Sequence, residues 1–256
     1  MTSRAWAGMA AAMLRLAQDV RPRWILLGSA AASFGGGLVH GALAAQLGGI
    51  DAAELQTAVV SRGATTQLAV VLLMIVAVAG PYRDGSWLHA ALAEPLPSRR
   101  LLVSAVPALA ASCLLALVSA AAATAGAAVT RPIEPAVVAV SIGLHLAVTS
   151  LWALWMLGLA HAVRSPLLTL AVGAGLPIVV EPTLAGLLSQ TDLGELRWLL
   201  PGNALRAVAE QPALGGGLLQ PVPPEALPAA VLAITACTLG IGTSAWLRLR
   251  GAQPRH

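Results

Sequence analysis

Long apolar runs alternate with short polar connectors along the whole chain. Six runs are long enough to cross a bilayer, which takes about 20 mostly apolar residues. They cover roughly Trp24–Leu47, Ala64–Ala79, Leu101–Val129, Ala136–Ala162, Pro166–Ser189 and Ala226–Leu247. The second, "TTQLAVVLLMIVAVAG", is short but uninterrupted, with Gln67 at an interface position. The third and fourth are long enough to tilt. Pro107 and Pro177 fall inside spans, where neighbouring helices and local backbone adjustment accommodate them with kinks. The pattern predicts an all-α integral membrane protein of six transmembrane helices, forming one transmembrane domain over residues 1–256.

Three polar stretches break the repetition. In residues 1–22, Trp6, Met9, Ala10, Met13, Leu14 and Leu16 recur at near-helical spacing, among Arg4, Arg15, Gln18 and Asp19. This predicts an amphipathic helix lying along a membrane face, ended by Pro22. Its arginines and Asp19 leave no apolar stretch of the kind a secretory signal requires. Residues 82–97 form a connector far longer than a tight turn needs. Residues 190–225 are the longest polar connector. In it, "ELRWLLPGNALRAVAEQ" predicts one or two half-helices, with Asn203 capping a short helix through Val208. "GGG" at 215–217 and "PVPPE" at 221–225 then read as flexible and stiff linker pieces.

Composition agrees with the pattern. The chain is 57% hydrophobic and 10% charged, with a mean hydropathy of +0.79; soluble domains carry about 25% charged residues. All 15 basic residues are arginine. Six spans place Arg4, Arg15, Arg21, Arg23, Arg83, Arg99, Arg100, Arg164, Arg248, Arg250 and Arg255 on one side of the membrane, and only Arg62, Arg131, Arg197 and Arg206 on the other. The positive-inside rule makes the first side cytoplasmic, with both termini there. Asp51, Glu54, Glu134, Asp192, Glu195, Glu210 and Glu225 fall outside, and an odd number of spans would scramble this sorting.

Little in the chain points to catalysis. There is no Walker A pattern, no HExxH and no GxSxG, so no nucleotide, zinc-protease or hydrolase chemistry of those kinds is expected on it. Cys113 and Cys237 lie in apolar runs without metal-ligand spacing, and read as small buried hydrophobes. Neither a metal site nor a nucleic-acid partner is expected. Inside the spans, Glu181, His40, His145 and Gln67 stand out, because an ionisable group at membrane depth is costly and often functional. Glu181, followed by Pro182, has two readings. One is a proton or substrate site partnered by His40 or His145. The other is a hydrogen-bonded carboxyl that satisfies backbone freed by Pro182. The first span carries small residues at helical steps, with Gly37 and Gly41 in a GxxxG and with Gly28, Ala32 and Gly36, fitting a tight bundle or a dimer seam.

The connector "YRDGSWLHAALAEPLPSRR" reads as a short cytoplasmic helix. Asp84 or Ser86 caps it, Trp87, Leu88, Ala91 and Leu92 form its apolar side, and Pro95 and Pro97 stop it. Arg99 and Arg100 anchor the next span. Such a helix is suited to docking on a soluble partner. At these residues the chain resembles the membrane permeases of the type-2 ATP-binding-cassette (ABC) exporter family. In that family an interfacial helix precedes six spans, and the loop between spans two and three has an E-Y-R-x-G-T-like start and a later P-x-x-R. Here those positions hold Tyr82, Arg83, Asp84, Gly85 and Ser86, then Pro97, Arg99 and Arg100, with Pro81 in place of the glutamate. "LLPGNALRAV" loosely matches the family's segment before the last span, at Leu200, Pro201 and Asn203.

The resemblance implies that Tyr82, Arg83, Asp84, Gly85, Trp87, Leu88 and Leu92 belong to a coupling helix seated in a separate ATPase subunit. It implies that ATP and Mg are bound by that partner, with no cofactor on this chain. It also implies a second permease chain, as a homo- or heterodimer, in a bacterial inner membrane, with export as the direction of transport. Beside it stand a proton-coupled secondary transporter using Glu181 with His40 and His145, and a structural membrane protein. Inverted repeats, frequent in secondary transporters, are not evident between the halves. Trp152, Trp155 and Met156 on the fourth span either pack or face an apolar or amphipathic cargo.

Overall fold

A computed structural model describes residues 3–47, 64–87, 97–130, 135–209 and 226–251, and every regular element among them is helical. The helices are α1 (Ser3–Gln18), α2 (Val20–Leu47), α3 (Ala64–Met74), α4 (Gly80–Asp84), α5 (Pro97–Ala128), α6 (Pro135–Val163), α7 (Pro166–Gly175), α8 (Glu181–Leu188), α9 (Pro201–Ala209) and α10 (Ala226–Gly251). Six helical stretches are long and apolar enough to span a membrane: Val20–Ala42, Thr65–Asp84, Leu101–Ala128, Val138–Val163, Pro166–Leu188 and Ala226–Arg248. The protein is a multi-pass membrane protein. Leu88 and Leu92, the arginines at 62, 131 and 255, and the linker pieces at 215–217 and 221–225 lie outside the described residues.

The second and fifth spans share one local device. A π turn, Ile75–Ala79, joins α3 to α4, and another, Leu176–Val180, joins α7 to α8. In each, the next backbone N–H reaches back five residues, from Gly80 to the Ile75 carbonyl and from Glu181 to the Leu176 carbonyl. Each is followed, after one residue, by a proline, Pro81 or Pro182. A proline inside a helix donates no N–H and its ring clashes with the carbonyl four residues back. One wider turn ahead of it relieves that clash without ending the helix. Thr183 Oγ1 also donates to the Val179 carbonyl at 2.7 Å. Pro177 sits inside the second π turn, and Pro107 inside the unbroken α5. The second span therefore runs on to Asp84, five residues beyond the apolar run that marks it in the sequence. Tyr82, Arg83 and Asp84 end that span and do not begin a new helix. Gly85, with φ of 79°, ends it in the left-handed conformation usual for a C-terminal glycine.

The core lies between the second and fourth spans. Val70, Val71 and Met74 are buried with Trp152, Ala153, Trp155, Met156 and Leu157. Trp152 Nε1 donates to the Gln67 carbonyl at 3.2 Å, and Trp155 Nε1 to Thr238 Oγ1 at 2.9 Å. The two indoles thus tie the fourth span to the second and sixth, with ring centroids 6.1 Å apart. The fifth span joins at Gly173, where a Cβ would crowd Met156 Sδ and the Val71 side chain. The first span packs on the third through glycine: a Cβ on Gly37 would strike the Ala123 carbonyl, and one on Gly126 the backbone of Phe34 and Leu38. The GxxxG of the first span is a seam within this chain. Ser29 and Ser119 share a hydrogen bond of 2.8 Å along it.

Helix α1 lies on the start of the third span, with Gly8 over Val103. Its apolar residues divide: Met9 is buried, whereas Trp6, Met13 and Leu14 are exposed. Asp19 separates α1 from α2 and caps the latter, accepting from the Arg21 backbone N–H at 2.9 Å. Its carboxylate also takes the Arg21 guanidinium, while the Arg23 guanidinium closes α1 on the Ala17 carbonyl. The hydrogen bonds from Arg21 hold the Asp19 carboxyl below its ordinary value. A lowered folded-state value means that this stabilisation is present above the ordinary carboxylate range, about pH 3.9, and lost as pH falls through the folded value. Asp19→Ala is expected to lower stability by about 1 kcal/mol at neutral pH. Melting in detergent checks this: the gap between wild type and variant is full at pH 7 and narrows only as the pH falls below the ordinary carboxylate range.

Candidate functional site

The arginine-rich end of the bundle gathers the residues that the connector motif singled out. Tyr82, the sole tyrosine, reaches His161 near the end of the fourth span, with its hydroxyl 2.8 Å from Nδ1. His161 Nε2 stands 3.1 Å from Ser104 Oγ on the third span. Ser104 Oγ donates to the Leu101 carbonyl at 3.0 Å, so it accepts from an Nε2–H, and Nδ1 in turn accepts from Tyr82. One imidazole tautomer satisfies this whole order. His161 is buried and meets the Tyr82 ring edge-on at 89°. Tyr82 and Trp87 pack together with centroids 5.3 Å apart.

Arg164 completes the cluster. It follows the last residue of α6 and adopts φ of 57°, the one positive φ at a non-glycine residue among those described. Such a conformation costs a non-glycine residue about 1 kcal/mol or more, and glycine usually fills it. The next residue, Ser165, caps α7, with Pro166 at its first position. The Arg164 guanidinium lies 5.3 Å from the Tyr82 ring centroid and 5.6 Å from that of Trp87. Its Nη2 donates to the Arg248 carbonyl at 2.6 Å, in the last turns of the sixth span. One cation thus joins the fourth-to-fifth corner, the end of the sixth span and both aromatics at the end of the second.

The remaining connector residues are less engaged. Arg83 and Asp84 are exposed, and the Asp84 carboxylate accepts from the Ser86 backbone N–H at 3.0 Å. The cap expected from Asp84 is therefore a local turn that restarts the helix at Ser86.

Glu181 lies at the opposite end and is 2% exposed. Its two carboxylate oxygens accept from the backbone N–H groups of Gly202 at 2.9 Å and Asn203 at 3.1 Å. These groups open α9, where the helix dipole favours an anion. A side chain on Gly202 would occupy the carboxylate's own position. The backbone that Glu181 satisfies is thus the start of α9, and not the turn before Pro182. The expectation that Asn203 caps this helix is corrected: Pro201 opens it, so Asn203 is already helical, and its amide donates to the Arg197 carbonyl at 3.1 Å. Trp198 and Ala204 pack on Ala226, Ala230 and Ala233 of the sixth span.

His40, half-buried, donates from Nδ1 to the Gly36 carbonyl of its own helix at 2.8 Å. His145 is buried in the fourth span. Sixteen residues of helix separate it from His161, about 24 Å along the axis, so the two histidines of this span are too far apart to act together. Trp152, Trp155 and Met156 are all buried within the chain's own core. His161, Ser104 and Arg164 were not distinguished by sequence. Each is an ordinary residue at a span end, and only the fold brings them to Tyr82. Compared with known proteins, the chain matches no family model and no curated sequence.

Proposed function

We propose that this chain is the membrane permease subunit of an ATP-driven ABC exporter. It docks a separate ATPase through the segment that begins at Tyr82, and the partner binds the ATP and Mg. One observation carries the reading: an aromatic and charged segment at the end of the second span meets His161 and Arg164 of the fourth span and its corner, and these two side chains reach on to the third and sixth spans at the arginine-rich end. A motor that binds ATP elsewhere moves the spans only through contacts with differential strength in two states. A segment linked to three spans through His161 and Arg164 is suited to pass on such a push. The excess of arginine supports a cytoplasmic location for this end, and the permease reading carries with it a bacterial inner membrane. Exposed Trp6, Met13 and Leu14 support an interfacial α1. The outward apolar faces of the fifth and sixth spans, with Leu167, Val179, Leu232 and Leu239, suit lipid and a second permease chain.

The proton-coupled alternative draws on Glu181, His40 and His145. The Glu181 carboxylate is already held by two backbone donors and His40 by its own helix, so the geometry favours structural roles for both.

The test is co-purification in detergent with an affinity-tagged chain. An ATPase is expected to accompany the wild type and to be lost, or retained without driving export, in the Trp87→Asp, Leu88→Asp double variant. Unchanged co-purification and export in that variant overturn the reading. A cysteine at Arg83 is expected to react with a membrane-impermeant maleimide only after the cells are opened. Labelling of intact cells places the segment on the wrong side.

A further inference from the structure

We propose that Arg164 is a positioning residue, a clasp that locks the Tyr82–Trp87 segment to the ends of the fourth and sixth spans. For its effect on transport this rests on the permease reading; the clasp itself stands on geometry alone.

Three observations converge on it. The guanidinium faces two aromatic rings of one segment, 5.3 Å and 5.6 Å away, and stacking on aromatic faces is what this planar, weakly hydrated cation does better than lysine. The same group reaches the Arg248 carbonyl at 2.6 Å, a charge-assisted hydrogen bond to a different span. The backbone at Arg164 is left-handed, φ 57°, a place where glycine is the less strained occupant. An arginine there is retained at a cost, so its side chain contributes something that the turn itself does not require. His161 also holds Tyr82, through its hydroxyl. The segment is thus held by two side chains three residues apart, at the end of one helix.

The consequence is a route for movement. A push on Trp87 or Tyr82 reaches the fourth-to-fifth corner and the sixth span together through one guanidinium. The second span connects to them there by side-chain contacts that break and reform without unfolding any helix.

Arg164→Gly separates this role from a merely structural one, because it relieves the backbone while removing the clasp. The experiment places a nitroxide on Arg83→Cys, in a chain with Cys113→Ser and Cys237→Ala, with a control label on Leu187→Cys at the far end of the fifth span. Arg164→Gly is expected to leave the melting temperature unchanged or raised and the Leu187 label unaffected. The Arg83 label is expected to gain mobility, with the released fraction rising on the order of tenfold. Arg164→Lys, which keeps the charge and loses the plane, is expected to fall between. Trp87→Leu, removing one of the two faces, supplies the same readout if Arg164→Gly fails to fold. No change in mobility in Arg164→Gly, or in Trp87→Leu, overturns the clasp whatever the partner. Mobility that rises equally at both labels also overturns it, as general loosening. Where an ATPase co-purifies, Arg164→Gly is expected to retain it and to lower cargo moved per ATP hydrolysed severalfold. A mobilised segment in a chain that captures no ATPase leaves the clasp standing and removes the permease reading.

Discussion

Gly126→Ala is expected to destabilise the bundle by about 1–3 kcal/mol, the range for forcing extra volume into a packed interior. The upper part of that range applies, because the new methyl group meets backbone. It would strike the Phe34 carbonyl and stand 2.9 Å from the Leu38 nitrogen. A side chain relieves such a contact by rotating; a helical backbone relieves it only by moving the whole first span away from the third. Gly37→Ala acts from the facing side, against the Ala123 carbonyl. Gly41→Ala is expected to cost less, since its neighbour is the Thr130 side chain. Gly28→Ala and Gly36→Ala meet nothing within 4 Å and serve as controls. The monodisperse fraction in detergent and the melting temperature give the order: Gly126 and Gly37 lowest, Gly41 between, Gly28 and Gly36 at wild type. Equal melting of Gly126→Ala and Gly28→Ala contradicts the seam.

The same glycines show how far a sequence carries. Their spacing marks a close-packing face but does not choose between a partner span and a second chain, because the choice depends on which helix lies opposite. All six spans were legible in the sequence, and the third to the sixth to within two residues at each end. Each needs only a local sum of apolar side chains, and bilayer thickness fixes its length. The extension of the second span to Asp84 was not, because Pro81 looks like a stop. Whether a proline ends a helix or is absorbed by a π turn depends on the packing of the turn before it, here the buried Val78 and Ala79. Gly85 supplies a left-handed turn at the end of the second span. The clasp was not legible. Tyr82 and His161 lie 79 residues apart and Arg164 and Arg248 84 apart, and no local pattern records such pairings.

Glu181→Ala is expected to release α9 from the fifth span and to lower stability by about 2–3 kcal/mol, the cost of losing hydrogen bonds to a charged acceptor and leaving buried donors unmet. Glu181 is 2% exposed and its carboxylate meets the Gly202 and Asn203 N–H groups with both oxygens, so truncation removes the acceptor of both. Glu181→Gln keeps the shape but turns one acceptor into a donor facing an N–H. Its loss is expected to be smaller than that of alanine and clearly above zero. Gly202→Ala attacks the same contact from the helix side, placing a methyl group where the carboxylate lies, and is expected to resemble Glu181→Ala. The two changes share one contact, so the double variant is expected to melt close to the worse single one and not at their sum. Hydrogen exchange at residues 202–204 supplies the local readout, with protection lost in all three variants. A proton carrier behaves differently. Glu181→Gln would then fold and melt as the wild type, keep the start of α9 protected, and lose only transport driven by a pH gradient. The protection of three amides at the start of one short helix therefore decides whether this buried carboxylate holds α9 in place or moves protons.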